Sequence, residues 1–385
     1  MARARAEESE ILPEADRLEG FPHPRETGLL IGQDAPERTL AAAFASGRMH
    51  HAWLITGRQG IGKATLAYRL ARHVLARPEE RDRSTTSLSI APLTAAARQV
   101  TALSHPGLLA LRRPCDPRTR RFTSSIPVDE VRRVKSFLAL TGGQDAWRVV
   151  IVDSADELNV NAANALLKSL EEPPQRALFV LTCSEPSRLL PTVRSRCRRL
   201  ECSPLAGDDL KRAVAAALTA AGIDVPTPQE WQRLEPLAQG SVRRALQLAG
   251  SGGLELQRHI EELFAGLPDV DWSAAHQLTD QLAVAAHEQR FEAFYDLFLG
   301  HLSRLVRTRA VAGAEAPLHA LGERLIPASR LPEWAALWEG ALREKNEAVR
   351  LNLDRKALLI GMLGRLEALA RGQLGAMWVA PGRNS

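Results

Sequence analysis

Gly57, Gly60, Gly62 and Lys63, in the run GRQGIGK, reproduce the first seven positions of the phosphate-binding pattern G-x-x-x-x-G-K-[ST]. Glycines at that spacing let successive backbone N–H groups converge on phosphate oxygens, and the lysine adds a point charge at the β/γ positions. A helix that starts at the lysine contributes its positive N-terminal dipole. The implied chemistry is the holding of a nucleotide, ATP or ADP, by Gly57, Gly60, Gly62, Lys63, Ala64 and Thr65. The residue after the lysine normally supplies a hydroxyl to magnesium. Here it is Ala64, with the hydroxyl displaced to Thr65, so Mg2+ binding is expected to be weakened. An ordinary glycine turn is the bland alternative, and the strand before and helix after weigh against it.

A second acid belongs with this loop. The apolar run Arg148–Val152 (RVVIV) ends in Asp153, the arrangement that places a carboxylate near magnesium. In ATPases of the AAA+ class the next residue is usually a glutamate that activates water. Here it is Ser154, which is no strong base at neutral pH. Asp156 and Glu157 follow, either as acids at a helix entry or as substitutes for the missing base. Two parts of the hydrolytic equipment are therefore altered together.

The elements needed to aim these groups are legible as alternating patterns. Ala52–Thr56 (AWLIT), 106–111, Arg148–Val152 and 177–182 read as strands, and 33–46, 63–75, 128–140 and 161–172 as helices. The pair Pro173-Pro174 closes the last of these helices. Continuously apolar strands alternating with helices predict a parallel sheet covered on both faces. The polar stretch 77–94 reads as a loop or insertion. Beyond about residue 203 the strand signals stop. Phe291, Phe294, Tyr295, Phe298, Leu302 and Leu305 then share one helical face, the mark of core packing.

The expected organisation is a flexible leader over 1–20, an α/β domain over 21–203, a helical lid over 204–252 and an all-helical domain over 253–385. A chain of 385 residues accommodates such a division. Its net charge of +5 permits contact with nucleic acid without requiring it. The arginines at 112, 113, 118, 120, 121, 132 and 133 could face DNA phosphates or simply be a solvated surface. No run approaches the ~20 apolar residues that span a bilayer, and a cytoplasmic, non-membrane protein is expected. Cys115, Cys183, Cys197 and Cys202 form no CxxC pair, so neither a zinc site nor any other metal site is expected. The adjacent His50 and His51 have no partners at metal-ligand spacing.

Residues 164–174, NALLKSLEEPP, resemble the NALLKxLEEPP signature of bacterial clamp-loader subunits, and Ser195-Arg196-Cys197 resembles the SRC motif of the same AAA+ family. The opening Leu30-Ile31-Gly32-Gln33 resembles that family's segment beside the adenine. Residues 240–246 (GSVRRAL) resemble its sensor-2 segment. Ala64 and Ser154 set the chain apart from the motor subunits. HPRETGLLIGQ and HHAWLITG look like δ′-type members of the alphaproteobacterial kind.

The resemblance implies an AAA+ domain followed by a lid and an oligomerising collar. It also implies a role in loading the sliding clamp onto primer–template DNA, within a ring of motor (gamma/tau-type) and delta subunits of the replicative polymerase. It makes Arg196 an arginine finger acting in trans and Arg243 a nucleotide contact, with helix-surface salt bridging as the alternative for Arg243. Cys183 and Ser184 stand where motors carry sensor-1 threonines. A catalytically active motor ATPase, or an AAA+ protein outside replication, are the competing readings.

Overall fold

Runs of Val, Ile, Leu and Ala build five short strands: β1 Ala52–Thr56, β2 Leu108–Leu111, β3 Arg148–Val152, β4 Ala177–Cys183 and β5 Arg198–Glu201. The computed structural model describes residues 12–81, 86–119, 122–139, 146–250, 252–284, 288–310, 316–351 and 354–373. The strands lie in the order β2-β3-β4-β1-β5, and every pairing is parallel. All residues of β1 and β4 are buried, as helix cover on both faces requires. The expected α/β sheet is thus present. Its least visible member is β5, where the sequence Arg-Arg-Leu-Glu buries only Leu200 and so carries no apolar run.

Helices α1 Asp34–Ala45, α2 Lys63–Leu75, α3 Ala95–Thr101, α4 Val128–Ala139, α5 Val160–Glu171 and α6 Pro191–Arg194 connect or flank these strands. In α5 the side chain of Asn159 accepts from the Ala162 N–H at 2.8 Å, capping the first turn. Ala162, Ala163, Leu166 and Leu170 then face the sheet and are buried. Each such leucine contributes about 1.5–3 kcal/mol of apolar burial. Beyond the sheet, α7 Gly207–Ala220, α8 Pro228–Ala238 and α9 Val242–Gly250 follow. Thr227 and Glu230 form a reciprocal capping box at the start of α8.

The chain divides into two compact units, Met1–Leu246 and Gln247–Ser385. The second is helical among its described residues: α10 Gly253–Gly266, α11 Trp272–Ala283, α12 Glu288–Ala310, α13 Ala316–Leu325, α14 Leu331–Leu351 and α15 Arg355–Ala370. Phe291, Phe294, Tyr295, Phe298, Leu302 and Leu305 of α12 are all buried, so the aromatic stripe is core. No helix among the described residues is long and apolar enough to cross a membrane.

His301 of α12 is buried beside Phe264, with ring centroids 4.6 Å apart, and neither ring nitrogen has a hydrogen-bond partner among the described residues. Burial, reinforced by Arg304, pushes its pKa down to about 4. A depressed histidine contributes stability above its unfolded value, and that stability is lost as pH falls toward the folded value. The helical unit should therefore lose roughly 2 kcal/mol between pH 6.5 and 4. His301→Phe should flatten that part of the melting-temperature profile.

Candidate functional site

The strand register sets out the site. Val152 pairs with Leu181 and Thr56 with Cys183, so β4 lies between the end of β3 and the end of β1. The next residues along, Asp153, Thr182, Ser184 and Gly57, are brought together at the carboxyl ends of the central strands. Carboxyl ends of parallel strands are where open α/β sheets assemble ligand sites.

The glycine loop leads from β1 into α2 and turns its lysine inward. Lys63 Nζ donates to Gly57 O at 2.8 Å, to Arg58 O at 2.7 Å and to Ser184 Oγ at 2.9 Å. An ammonium has three protons, and all three are thereby engaged. Burial lowers the pKa of this lysine, and the charges of Asp153 and Asp156 oppose the shift. Gln33 clamps the same loop: its Nε2 donates to Ile61 O at 3.0 Å and to Ser203 O at 2.7 Å. Thr65 is half-buried in the first turn of α2.

Residues at the start of α9 close on the loop from the other side. Val242 N–H donates to Gly60 O at 2.9 Å, and Ser241 Oγ donates to Gln59 O at 2.9 Å. Gly60 has φ +77°, and a Cβ there would lie 2.4 Å from both Ser241 Oγ and Arg243 Cβ. Gly60→Ala should therefore force the α9 start away at a cost of about 1–3 kcal/mol. Faster hydrogen exchange at the Val242 amide would register the opening. Arg243 is placed against the loop by its backbone and Cβ.

Asp153 is buried at the end of β3. It accepts from Thr182 Oγ1 at 2.5 Å, while Thr182 in turn accepts from Ser154 N–H at 2.8 Å. Burial and then the Asp16 carboxylate push its pKa up, to about 7. Asp156 accepts from the N–H groups of Ser184 and Glu185, at 3.3 and 3.0 Å, and so ties down the loop after β4. Glu157 pairs with Arg113 at 2.7 Å. Each acid near Ser154 thus has a structural partner.

Asp16 was not among the residues singled out from sequence. Residues 13–20, expected as part of a flexible leader, are instead bound to the sheet domain by a buried ionic network. Glu14 pairs with Arg25 at 2.8 Å, Arg112 at 2.5 Å and Arg17 at 3.1 Å. Asp16 lies 2.7 Å from His23 Nε2 and 3.3 Å from Arg112. His23 Nδ1 accepts from Arg25 N–H at 3.0 Å, which leaves the ring proton on Nε2, facing Asp16. Burial disfavours ionisation of both acids, but Arg25 and Arg112 hold Glu14 down to about 2. His23 and Arg112 likewise hold Asp16 well below the carboxylate range. Tyr68, fully buried, meets His23 edge-on at 5.7 Å. The only sequence signal for this strap was its mix of acids with the HPRETG run.

These pairings also account for much of the basic patch. Arg112 serves the strap, Arg113 meets Glu157, Arg132 meets Asp129 at 2.7 Å and Arg133 meets Glu130 at 2.5 Å. Arg118 is exposed, whereas residues 120 and 121 lie outside the described residues. Among the described residues no cluster of three His, Cys, Asp or Glu side chains could hold a metal ion. His50 and His51 stack at 4.4 Å, and His51 Nε2 meets Leu170 O at 3.0 Å.

Tested against a magnesium–nucleotide, these residues give a divided answer. Loop amides and Lys63 fit a phosphate chain, although phosphate oxygens must displace the internal partners of Lys63. Where a magnesium ion would be held, Ala64 offers no side-chain oxygen, and Asp153 already accepts from Thr182 Oγ1.

Arg196 follows α6, outside these pairings. Its Nη1 donates to Thr192 O at 2.8 Å and lies 3.5 Å from Ser195 Oγ, and its Nη2 pairs with Glu171 at 2.6 Å. The side chain is 35% exposed, so the guanidinium is accessible from outside the chain.

Residues 32–206 match the family model described as DNA polymerase III, delta subunit. The delta' subunit of DNA polymerase III from Pseudomonas aeruginosa is 34% identical over 212 residues, which cover 55% of this chain and 60% of that protein. The tau subunit of DNA polymerase III from Escherichia coli is 24% identical over 90% of this chain and 44% of that protein. The chain spans about half the length of the curated relatives it matches. A DNA polymerase III gamma subunit-related protein of Thermotoga maritima, solved by crystallography, covers 87% of this chain and 100% of its own, at 18% identity and a TM-score of 0.42. The matched region, residues 32–206, holds the sheet, the glycine loop and both signature segments, and over it the chain is similar to the delta-subunit family of DNA polymerase III.

Proposed function

We propose that this chain is the non-motor, δ′-type subunit of a clamp loader, donating Arg196 to the ATP site of a neighbouring subunit. The observation that carries this reading is a contrast between two cations. All three protons of Lys63 are turned onto the chain's own Gly57, Arg58 and Ser184, whereas Arg196 stands half-exposed on a surface loop. A guanidinium in that position can stabilise the charge that spreads over the phosphoryl oxygens of a partner's nucleotide. Proton abstraction from water is left to the partner, because Ser154 and the engaged Asp156 and Glu157 offer no base. The buried strap and the closed loop suit a stator, whose shape changes little while its neighbours turn over.

On this reading the partners are gamma/tau-type motors and a delta subunit in the cytoplasm, and the clamp and primer–template DNA are met through the assembly. Residues 204–252 serve as the lid and 253–385 as the collar. ATP or ADP at the chain's own loop would be held by the amides of 60–63 and by Lys63, with magnesium weakened by Ala64. Arg243, whose backbone touches Gly60, would sit beside it.

The test is DNA- and clamp-stimulated ATP hydrolysis by the assembled subunits, with wild-type chain and with Arg196→Ala, beside the isolated chain. The likeness to the tau subunit over 90% of this chain favours a second reading, a motor. Sustained turnover by the isolated chain would establish that reading instead.

A further inference from the structure

We propose that Glu171 is a positioning residue for Arg196, fixing the plane of its guanidinium before the neighbour's nucleotide arrives. The inference rests on the arginine-donor reading above. Glu171 is the last residue of α5, and Arg196 reaches it across the gap between that helix end and α6. Its carboxylate takes one proton of Nη2 at 2.6 Å, and Thr192 O takes one of Nη1 at 2.8 Å. Two acceptors on two different nitrogens fix a planar fork, where a single acceptor would let it swing. Among the described residues no further acceptor meets Nε or the second proton of Nη2, which leaves them for oxygens brought from outside.

The placement of Glu171 is costly for its own helix. A helix C-terminus carries the negative end of the dipole, and α5 ends on Glu171 with Glu172 directly after it. Lys168 in the same last turn answers the dipole in part, and the cation paired with the Glu171 carboxylate is Arg196. Both side chains are substantially exposed, at 46% and 35%, so the pair adds little to folding. Its effect is on the conformation of a long side chain that would otherwise sample many rotamers. Misplacement of such a group costs rate rather than affinity, because the arginine meets its charge in the transition state.

The experiment is steady-state ATP hydrolysis by the chain assembled with its ATP-hydrolysing partners. It compares wild type with Glu171→Ala, Glu171→Gln, Arg196→Ala and the double variant Glu171→Ala/Arg196→Ala. Glu171→Ala should lower kcat about 10-fold with KM unchanged. Glu171→Gln, which keeps an oxygen for Nη2, should recover most of that loss. The double variant should be no slower than Arg196→Ala alone, since the two residues act as one unit. A wild-type kcat for Glu171→Ala beside a strongly reduced Arg196→Ala would overturn the role of Glu171 and leave the arginine donor standing. So would an equal further loss in the double variant. An unchanged Arg196→Ala would overturn the donor reading, and the role of Glu171 with it.

Discussion

Arg196→Ala should lower turnover at the adjoining ATP site on the order of 10³-fold or more, with little change in KM. That factor corresponds to about 4 kcal/mol of transition-state stabilisation. On the arginine-donor reading the effect is large because the guanidinium would act on charge that develops only as the phosphoryl group transfers. Arg196→Lys should fail to restore the rate, since an ammonium cannot present the planar fork that Thr192 and Glu171 hold in place. Stability should be nearly unaffected, because the side chain is partly exposed and its ion pair lies at the surface. Thermal melts that match the wild type would separate lost chemistry from lost structure. Turnover counted per adjoining site, not per whole assembly, is the relevant readout.

The second large effect lies in the strap. Arg112→Ala should release residues 13–27 from the sheet domain, at a cost of about 3–5 kcal/mol. Glu14 and Asp16 would be left buried without their shared cation, beside an already raised Asp153. The sheet itself should survive, since its strands pair independently of the strap. Hydrogen exchange should then accelerate at the strap amides and not in β1 or β4.

The pH dependence follows the same charges. Glu14 and Asp16 have depressed folded values, so their contribution is present above the unfolded carboxylate range. It is lost as pH falls from about 4.5 toward 2. Asp153 is raised, so the advantage of its neutral form is lost as pH rises through about 7. Asp153→Asn keeps the shape and removes that charge. It should tighten the strap at pH 8 by on the order of 1 kcal/mol or more, with a smaller gain at pH 6.

The sheet was readable from sequence wherever a strand is buried on both faces. AWLIT, RVVIV and ALFVLT announce themselves by composition, and β1 and β3 fall where expected. β5 escaped notice because only Leu200 faces inward. The loop glycines, Lys63 and Asp153 were legible because phosphate chemistry restricts residue type and spacing together. What Lys63 binds was not, since Gly57 O, Arg58 O and Ser184 Oγ are set by how β4 enters between β1 and β3. The strap was missed for a related reason. Glu14, Asp16 and Arg112 are ordinary surface residues by composition, and only the fold brings residues nearly a hundred positions apart into one buried cluster. Arg112 consequently read as part of a basic face.

The same edge strand that hid itself has a consequence for association. β5 is four residues long, with Arg198, Arg199 and Glu201 pointing into water and Arg198 seated over the Trp53 ring at 4.9 Å. A foreign strand seeking to extend the sheet would find a short template and would have to strip water from three charges to use it. Backbone ladder growth between chains is thereby discouraged, and neighbours meeting this side of the domain must be recognised through side chains.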